Sequence, residues 1–485
     1  MRQRSTRAAL LAVLAGAIAG CAMEGIDQGG ADQPPDTQVA ISETHMMEAT
    51  NEGYKILRRS DNTVFSRTFF DIFPGGVNSP CGTAIVTDPR LRFHRQTGRW
   101  FLVHALEEGS VNTQNFGGWC LAVSKTGNPL GAWRTFFIPL PSHGPNCASG
   151  YQTFCPADSC GCTPNSTVCM TMFPDFDDLG VANGVFALTG QLYHAWNCGG
   201  SVFFTAAFLD GSIVVLLNEA DATSSSSIRM VTIMPDALDL TAPRYWLRRA
   251  AHVVGGQFTN EYGPPEQLTT LSNDTTRNDA FSIRRDKFDG LPGVTNISVT
   301  TDYRSNVARP YLFPGTGAPQ QGGVDVNTGD TRLLEAIDDG EGAFWIVGHN
   351  GCFPAPNAPI HHCVRAVQMD HFLDPTAQIT LDITLGELNV AYYYPNVTVD
   401  DAGNLLMVLN RSSASQFVSI YATGRRPTDP GPTLRVPTFI NAGAGGTYTN
   451  WIGAPRWGDY SGIAVVLPTN GIDPALDTVF MGEWG

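Results

Sequence analysis

Hydrophobic residues in most of this chain form short runs separated by turn residues. Near residues 91–106, LRFH leads through RQTGR into WFLVHAL. The order recurs at residues 394–409, where YPNVTV leads through DDAGN into LLMVL. A β segment, a glycine-containing turn and a more hydrophobic β segment are typical of a β-hairpin. After the apolar run at residues 8–20, no stretch of the sequence keeps the spacing of apolar residues that a helix needs, so the pattern predicts an all-β protein.

The predicted strands group by fours into repeated units, which is the pattern of a β-propeller. The last unit has only two strands, at 459–466 and 478–484, whereas unassigned strands precede the first unit at 44–48, 54–58 and 63–70. Placing the strands of both chain ends in one blade would close the ring and protect the sheet edges. We therefore predict a single β-propeller of six blades over residues 39–485. A two-sheet sandwich with a second domain would leave the repeated frame unexplained.

The N-terminus predicts export. MRQRSTR has three arginines and no acid, and an apolar run follows at residues 8–20. This run is too short for a permanent membrane span, and it ends in IAGC, which resembles a bacterial lipobox. We expect residues 1–20 to be a lipoprotein signal peptide, Cys21 to be lipidated and residues 21–38 to be a flexible tether. The alternative is ordinary secretory cleavage nearby. In the lipoprotein case the protein stays at the cell envelope, and the lipid is its only membrane contact.

Cysteine use agrees with export. Of eleven cysteines, Cys21 belongs to the lipobox, and the even number that remains favours disulfides in an oxidising compartment. Six lie between residues 147 and 198, and a zinc site there would lack a histidine between Cys147 and Cys169. Cys352 and Cys363 are expected to close a loop together. The neighbouring pair His361-His362 is expected to lie in a solvated turn rather than in a metal site, so no metal site is predicted.

The charge limits the partners. The formal net charge is −15, and nucleic acid needs a basic face. The same excess of acid disfavours a polyanionic polysaccharide as the preferred ligand. We expect a monomer that binds a glycan or a protein and does not bind nucleic acid.

Residues just before the innermost strand of each blade are expected to face a shared axial funnel. The candidates for ligand binding are Asp88, Asp175, Asp330, Asn396, Trp457, Asp459 and Tyr460. A ring of acids there could hold a cation, bind sugar hydroxyls or act in acid–base chemistry. The catalytic candidates are Asp88, Asp175 and Asp178. No cofactor is predicted beyond the possibility of a structural calcium ion in the channel. The alternative is that each aspartate caps its own turn and that the aromatic residues pack between blades.

Several blocks carry a resemblance to known proteins. TDPRLRFHRQTGRWFLVHA, FPDFDDLGVANGVFALTG and WGDYSGIAV resemble, in this order, blocks of secreted bacterial β-propellers that are mostly uncharacterised. The resemblance implies the propeller fold and export. A looser similarity to arabinanase/xylosidase-type glycosidase propellers implies Asp88 as the base, Asp175 or Asp178 as a pKa-tuning acid and a glutamate as the proton donor. The chain departs from that pattern, because no glutamate of the third blade occupies a recognisable motif and Glu335 falls within a strand.

These inferences favour an exported lipoprotein whose propeller binds a ligand at its axial funnel. Whether it is an enzyme is left open, and binding is favoured over catalysis. One alternative is a glycoside hydrolase or lyase that uses the funnel carboxylates, and another is a structural or assembly scaffold. The frame shared by WGDYSGIAV and PDFDDLGVA is interpreted as a repeated start of an inner strand rather than a duplicated catalytic motif.

Overall fold

The computed structural model describes residues 36–74, 80–82, 86–106, 117–140, 171–182, 184–195, 207–233, 248–250, 252–253, 268–274, 281–306, 312–315, 317–329, 331, 333–339, 343–370, 379–400, 402–442, 457–465 and 478–481. The signal peptide, Cys21, most of the tether, the six cysteines between 147 and 198, and Asp330 lie outside these residues. The predictions made for them stay predictions.

Five sheets within the described residues have four antiparallel strands each. The first consists of β1 (Gln38–Ile41), β2 (His45–Thr50), β3 (Gly53–Arg58) and β4 (Thr63–Arg67), and the second of β5 (Val86–His94), β6 (Arg99–Leu106), β7 (Gly118–Ser124) and β8 (Trp133–Pro139). The third consists of β9 (Thr171–Val181), β10 (Val185–Ala195), β11 (Ala207–Asn218) and β12 (Met230–Ile233). The fourth comprises β13 (Arg248–Ala250), β15 (Leu268–Asp274), β16 (Phe281–Asp289) and β17 (Ser298–Asn306), and the fifth β24 (Ala391–Val399), β25 (Leu405–Ser413), β26 (Gln416–Arg425) and β27 (Thr438–Ala442).

The remaining strands form one five-stranded sheet and two small pairs. β20 (Leu333–Asp338), β21 (Ala343–Cys352), β22 (His361–Asp370) and β23 (Ile379–Leu385) are antiparallel, and β14 (His252–Val253) joins β20 in parallel. The pairs are β18 (Gly317–Ala318) with β19 (Val326–Asn327), and β28 (Gly462–Val465) with β29 (Thr478–Met481). The helical turns are α1 (Phe69–Ile72), α2 (Glu219–Ser224) and a 3₁₀ turn at Pro80–Gly82. None of the helices in the described part of the chain meets the length and hydropathy needed to cross a membrane.

The innermost strands of successive sheets lie side by side around a common axis. They contact one another in the order β1, β5, β9, β13, β20, β24 and β28, and β28 in turn contacts β1. This arrangement of four-stranded sheets confirms the predicted all-β propeller. β1 to β4 form a sheet without a C-terminal strand, and β28 pairs with β29. The count of six blades, and closure by strands of both chain ends in one blade, therefore stay predictions.

Adjacent blades bury both faces of the strands between them. Side chains alternate across a strand, so Trp100 and Leu102 of β6 pack toward the first sheet, whereas Phe101 and Val103 pack toward the third. The Phe101 ring lies 5.3 Å from that of Phe186 in β10, measured between centroids. Burial on both faces explains why this strand is a continuous hydrophobic run rather than an alternating one.

Two disulfides fasten the described strands. The predicted bond between Cys352 and Cys363 is confirmed, and it joins the neighbouring strands β21 and β22 at the end of their hairpin. Cys81 pairs with Cys120 of β7. The sequence left the partner of Cys120 open, since this bond spans 39 residues and the two half-cystines belong to different local patterns.

Candidate functional site

Charged and polar side chains from several blades meet at the propeller axis around Arg92. The Nη2 atom of Arg92 lies 3.0 Å from Glu335 Oε2 of β20 and 3.4 Å from Asp178 Oδ1 of β9. Its Nη1 donates to Gln38 Oε1 of β1 at 3.3 Å. Asn396 of β24 donates through Nδ2 to Glu335 Oε2 at 3.2 Å. We call these five residues the axial cluster; all are at most 9% exposed.

Left-handed residues lie within three inner strands, not just before them as the sequence predicted for the candidate residues. Asp88 of β5, Phe176 of β9 and Tyr394 of β24 have φ values of 51°, 54° and 47°. Each sits where the pairing register with the next strand shifts, as in a β-bulge. Bulges re-aim the side chains around them, and they recur next to functional sites. Tyr460, which matches Phe176 in the shared sequence frame, is not left-handed, so the frame does not impose one backbone conformation.

A second polar group, which we call the mouth cluster, lies at this end of the axis. It is held together by hydrogen bonds between residues that lie in, or next to, the strands of four separate sheets. Asp88 Oδ2 accepts hydrogen bonds from the Tyr460 hydroxyl at 3.0 Å and from the Phe176 backbone N–H at 3.3 Å. On its other side, the Asp88 N–H donates to Asn51 Oδ1 at 2.8 Å. The complete cluster is Asp36, Asn51, Asp88, Asp175, Phe176, Asp459 and Tyr460.

Asp36 ties the two chain ends into the mouth cluster. Its Oδ1 accepts the backbone N–H of Asp459 at 2.9 Å, and its Oδ2 accepts Nδ2 of Asn51 at 2.9 Å. Residues 423 positions apart are thereby held at one end of the axis. Asp36 is buried, so these contacts position the backbone of the mouth rather than presenting a free carboxylate.

Asp175 and Phe176 are the partly exposed members of β9 in this cluster. Asp175 Oδ1 accepts the N–H of the next residue, Phe176, at 2.8 Å, within strand β9 rather than in a turn. The Phe176 ring meets the Tyr460 ring edge-on with centroids 6.0 Å apart. An acceptor and an aromatic face therefore lie side by side at the surface of the mouth.

Arg90 lies between the two clusters with two unsatisfied nitrogens. Its Cζ is 3.6 Å from the centroid of the Tyr460 ring, and its Nε donates to the Asp177 carbonyl at 2.6 Å. The side chain is fully buried, yet Nη1 and Nη2 have no hydrogen-bond partner among the described residues. Buried donors without an acceptor are rare in proteins because each costs about 1–3 kcal/mol.

Asp177 is a buried carboxyl beside Asp88. Burial, followed by the nearby charge of Asp88, raises its pKa well above the ordinary value. The side chain fills a narrow slot, since a Cβ added at Gly190 would come 3.0 Å from Asp177 Oδ1 and 3.3 Å from the Trp119 ring. Burial and the charge of Asp88 therefore both favour the neutral form of this carboxyl.

The other candidate residues are buried for different reasons. Asp178 is committed to its ion pair with Arg92 and also accepts the Leu179 N–H at 2.9 Å. Asn396 belongs to the axial cluster rather than to the mouth. Trp457 is 1% exposed and packs in an apolar cluster with Tyr393 and Tyr394.

Sequence reasoning missed the arginines, Glu335 and the residues that frame the mouth. A signal for the arginines was present, because Arg90 and Arg92 alternate with Leu91 in an otherwise apolar inner strand and must share one face. Glu335 gave a similar signal as an acid within a hydrophobic strand. Asp36 and Asn51 gave none, since a tether residue and a turn residue acquire their partners only through the tertiary structure.

The described residues also bear on the metal predictions. They contain no group of three or more His, Cys, Asp or Glu side chains that could hold a metal ion. In the axial cluster, the guanidinium of Arg92 supplies the positive charge between two carboxylates, and a calcium ion in the channel stays a prediction.

His361 and His362 are the first two residues of strand β22 and do not lie in the solvated turn that the sequence predicted. The buried His362 bonds to His349 at 3.1 Å because the two strands pair side by side.

Comparison with known proteins yields distant structural likenesses. No known family and no curated protein matches the sequence. The chain is similar to a GH43 endo-arabinanase from Bacillus licheniformis, with 11% identity over 73% of this chain and 99% of that chain and a TM-score of 0.29. A PL25 ulvan lyase is similar at 10% identity over 93% and 92%, with a TM-score of 0.36. A protein of unknown function from Dyadobacter fermentans is similar at 13% identity over 78% and 86%, with a TM-score of 0.37. Likenesses this distant carry no argument about function, and membership of a secreted bacterial family stays a prediction.

Proposed function

We propose that this protein is an exported lipoprotein whose β-propeller binds a glycan at the mouth of its axis. The observation that carries the proposal is the mouth cluster, whose residues lie in or next to the strands of four sheets and include the partly exposed Asp175 and Phe176. Carboxylate oxygens accept hydrogen bonds from sugar hydroxyls, and an aromatic ring suits the apolar face of a sugar. A protein ligand is the other class that this surface would suit.

The closure of the ring is part of the proposal. The contact between β1 and β28 supports it, as does the bond from Asp459 to Asp36. With both inner edges covered, inner strands would surround the mouth on all sides.

A glycan array tests the binding proposal. The protein beginning at Ala22, which lacks the lipid, is applied to an array of neutral and acidic glycans, and the affinities of its variants are then measured by calorimetry. Asp175→Asn and Phe176→Ala should each weaken binding about tenfold or more, in line with the loss of one good contact. Asp429→Asn, which removes a charge from a surface ion pair with Arg435, is the control and should bind normally. An array without a bound glycan, or unchanged affinities, would contradict the proposal.

Hydrolysis or lysis of a glycan is the second candidate function. It is favoured by Asp177, because burial and then the charge of Asp88 raise its pKa well above the ordinary value, and a carboxyl with a raised pKa can act as a general acid. Chromogenic glycosides and uronate polymers would reveal turnover, which Asp88→Asn should abolish. Turnover lost in that variant would replace the binding-only proposal. A protein with neither turnover nor ligand would point to the scaffold alternative.

The lipid anchor is tested separately from the ligand. Cys21→Ser should release the protein from the membrane fraction into the soluble fraction, because the thiol is the lipidation site of a lipobox. A variant that fractionates like the unaltered protein would contradict anchoring and favour ordinary secretory cleavage.

A further inference from the structure

The unsatisfied guanidinium of Arg90 indicates what kind of chemical group binds at the axis. Its terminal nitrogens are hydrogen-bond donors that need acceptor oxygens, and no described side chain supplies one. The carboxylates of Asp178, Glu335 and Asp88 act electrostatically on Arg90, but none of them accepts a hydrogen bond from Nη1 or Nη2. The missing partner must therefore fit between a guanidinium and surrounding carboxylates.

Charge decides the class of that partner. Three carboxylates, those of Asp88, Asp178 and Glu335, surround the two guanidinium groups of Arg90 and Arg92, so the group already carries an excess of one negative charge. Another anion would add to this excess of negative charge, and a cation offers no acceptor atom to the donors of Arg90. A neutral hydroxyl satisfies both sides, since its oxygen accepts from the guanidinium and its hydrogen donates to a carboxylate.

We propose that the axis binds an uncharged saccharide, one hydroxyl of which bridges the terminal nitrogens of Arg90 and the neighbouring carboxylates. This inference rests on the proposed glycan-binding function and names its ligand class as neutral sugars rather than uronates. The Tyr460 ring covers Arg90, so the saccharide must displace this ring to reach the guanidinium. An ordered water molecule has the same hydroxyl chemistry, and the experiments separate the two sources.

Matched glycans test the class of ligand. The array carries neutral oligomers and uronate counterparts with the same linkage, such as mannotetraose with tetramannuronate and cellotetraose with its glucuronate form. The neutral member of a bound pair should bind at least tenfold more tightly. Equal or tighter binding of the uronate member overturns the inference but keeps the glycan function. An array without any bound glycan contradicts the glycan function itself.

A conservative variant tests the role of Arg90. Arg90→Lys keeps the charge but loses the planar pair of terminal donors, and it should weaken binding of the neutral tetrasaccharide at least tenfold. The control is Arg365→Lys, because Arg365 is a buried arginine already paired with Asp382 in another part of the fold. Circular dichroism and thermal melting establish that both variants are folded. Unchanged affinity in Arg90→Lys overturns the inference.

A crystal structure of the unaltered protein with the tetrasaccharide decides the matter if Arg90→Lys does not fold. A sugar hydroxyl within hydrogen-bond distance of Nη1 or Nη2 supports the inference. Ordered water alone at these atoms, with the sugar bound elsewhere, overturns it.

Discussion

Arg92 links inner strands of several blades at the axis. It contacts Gln38, Asp178 and Glu335 from three other sheets, and Asn396 extends the network through Glu335. A buried ion pair has a small net effect on stability, but removing one partner leaves uncompensated buried charge. The main effect of Arg92 is therefore to neutralise acids that would otherwise repel one another at the centre of the ring.

Replacing Arg92 with methionine should lower the free energy of unfolding by about 3–5 kcal/mol, because Asp178 and Glu335 lose their buried counter-charge. Chemical denaturation measures the change. The double variant Arg92→Met/Glu335→Gln should regain part of the loss, since one fewer carboxylate is left unpaired. Strictly additive effects in the double variant would contradict the network. Arg58→Met is the control, because its pair with Asp61 is at the surface and should contribute little.

Asp177 should make the stability of the fold depend on pH. Its pKa in the folded state is raised, first by burial, so unfolding releases a proton at pH values between the unfolded and the folded pKa. The stability that the neutral carboxyl provides is present below the unfolded pKa of about 4 and is lost as the pH rises through the folded pKa. Asp177→Asn should therefore be more stable than the unaltered protein at pH 7, with the difference shrinking toward pH 4. Denaturation curves across this range test it, and a difference independent of pH would contradict it.

At the scale of elements, a β-bulge recurs in three inner strands, β5, β9 and β24. The sequence frame was interpreted as the start of an inner strand, but β9 begins at Thr171, four residues before Asp175, and β28 begins at Gly462, three residues after Asp459. The frame did not reveal the left-handed residues, since Asp88, Phe176 and Tyr394 share no residue type. The bulge forms because neighbouring strands and the axis constrain the backbone, and this constraint is tertiary.

Phe176 gives a direct test of the bulge. Both Phe176→Gly and Phe176→Ala remove the ring, but only glycine adopts a φ of 54° without strain. The glycine variant should be more stable than the alanine variant by about 1 kcal/mol. Val64 is an exposed position of β4. There Val64→Gly should instead be less stable than Val64→Ala, because glycine weakens a regular strand by about 0.5–1 kcal/mol. Differential scanning calorimetry measures both orders, and the same order at the two sites would argue against the bulge.

At the scale of the whole molecule, the two chain ends meet where β28 passes β1. A Cβ added at Gly462 would come 2.8 Å from the backbone nitrogen of Val39, so only glycine permits this approach. The sequence indicated that the ends belong together because the last unit was short of strands. It did not reveal that the first four strands make a sheet of their own.

Gly462→Ala should therefore destabilise the protein by about 1–3 kcal/mol, as overpacking does elsewhere. Gly127→Ala is the control, since the nearest atom to its added Cβ is the Gly98 carbonyl oxygen at 3.3 Å, in a turn at the surface. Thermal unfolding compares the two variants. Equal stability would show that β1 and β28 do not approach as closely as the structure has them.

The sequence by itself determined the all-β class, the repeated four-strand units and the Cys352–Cys363 bond, because these depend on local period, turn chemistry and short separations. Only the tertiary structure decided which polar residues meet. Arg92 and Glu335 are 243 residues apart, and Asp36 and Asp459 are 423 apart. Such contacts follow from the winding of the sheets around the axis, and no local pattern encodes that geometry.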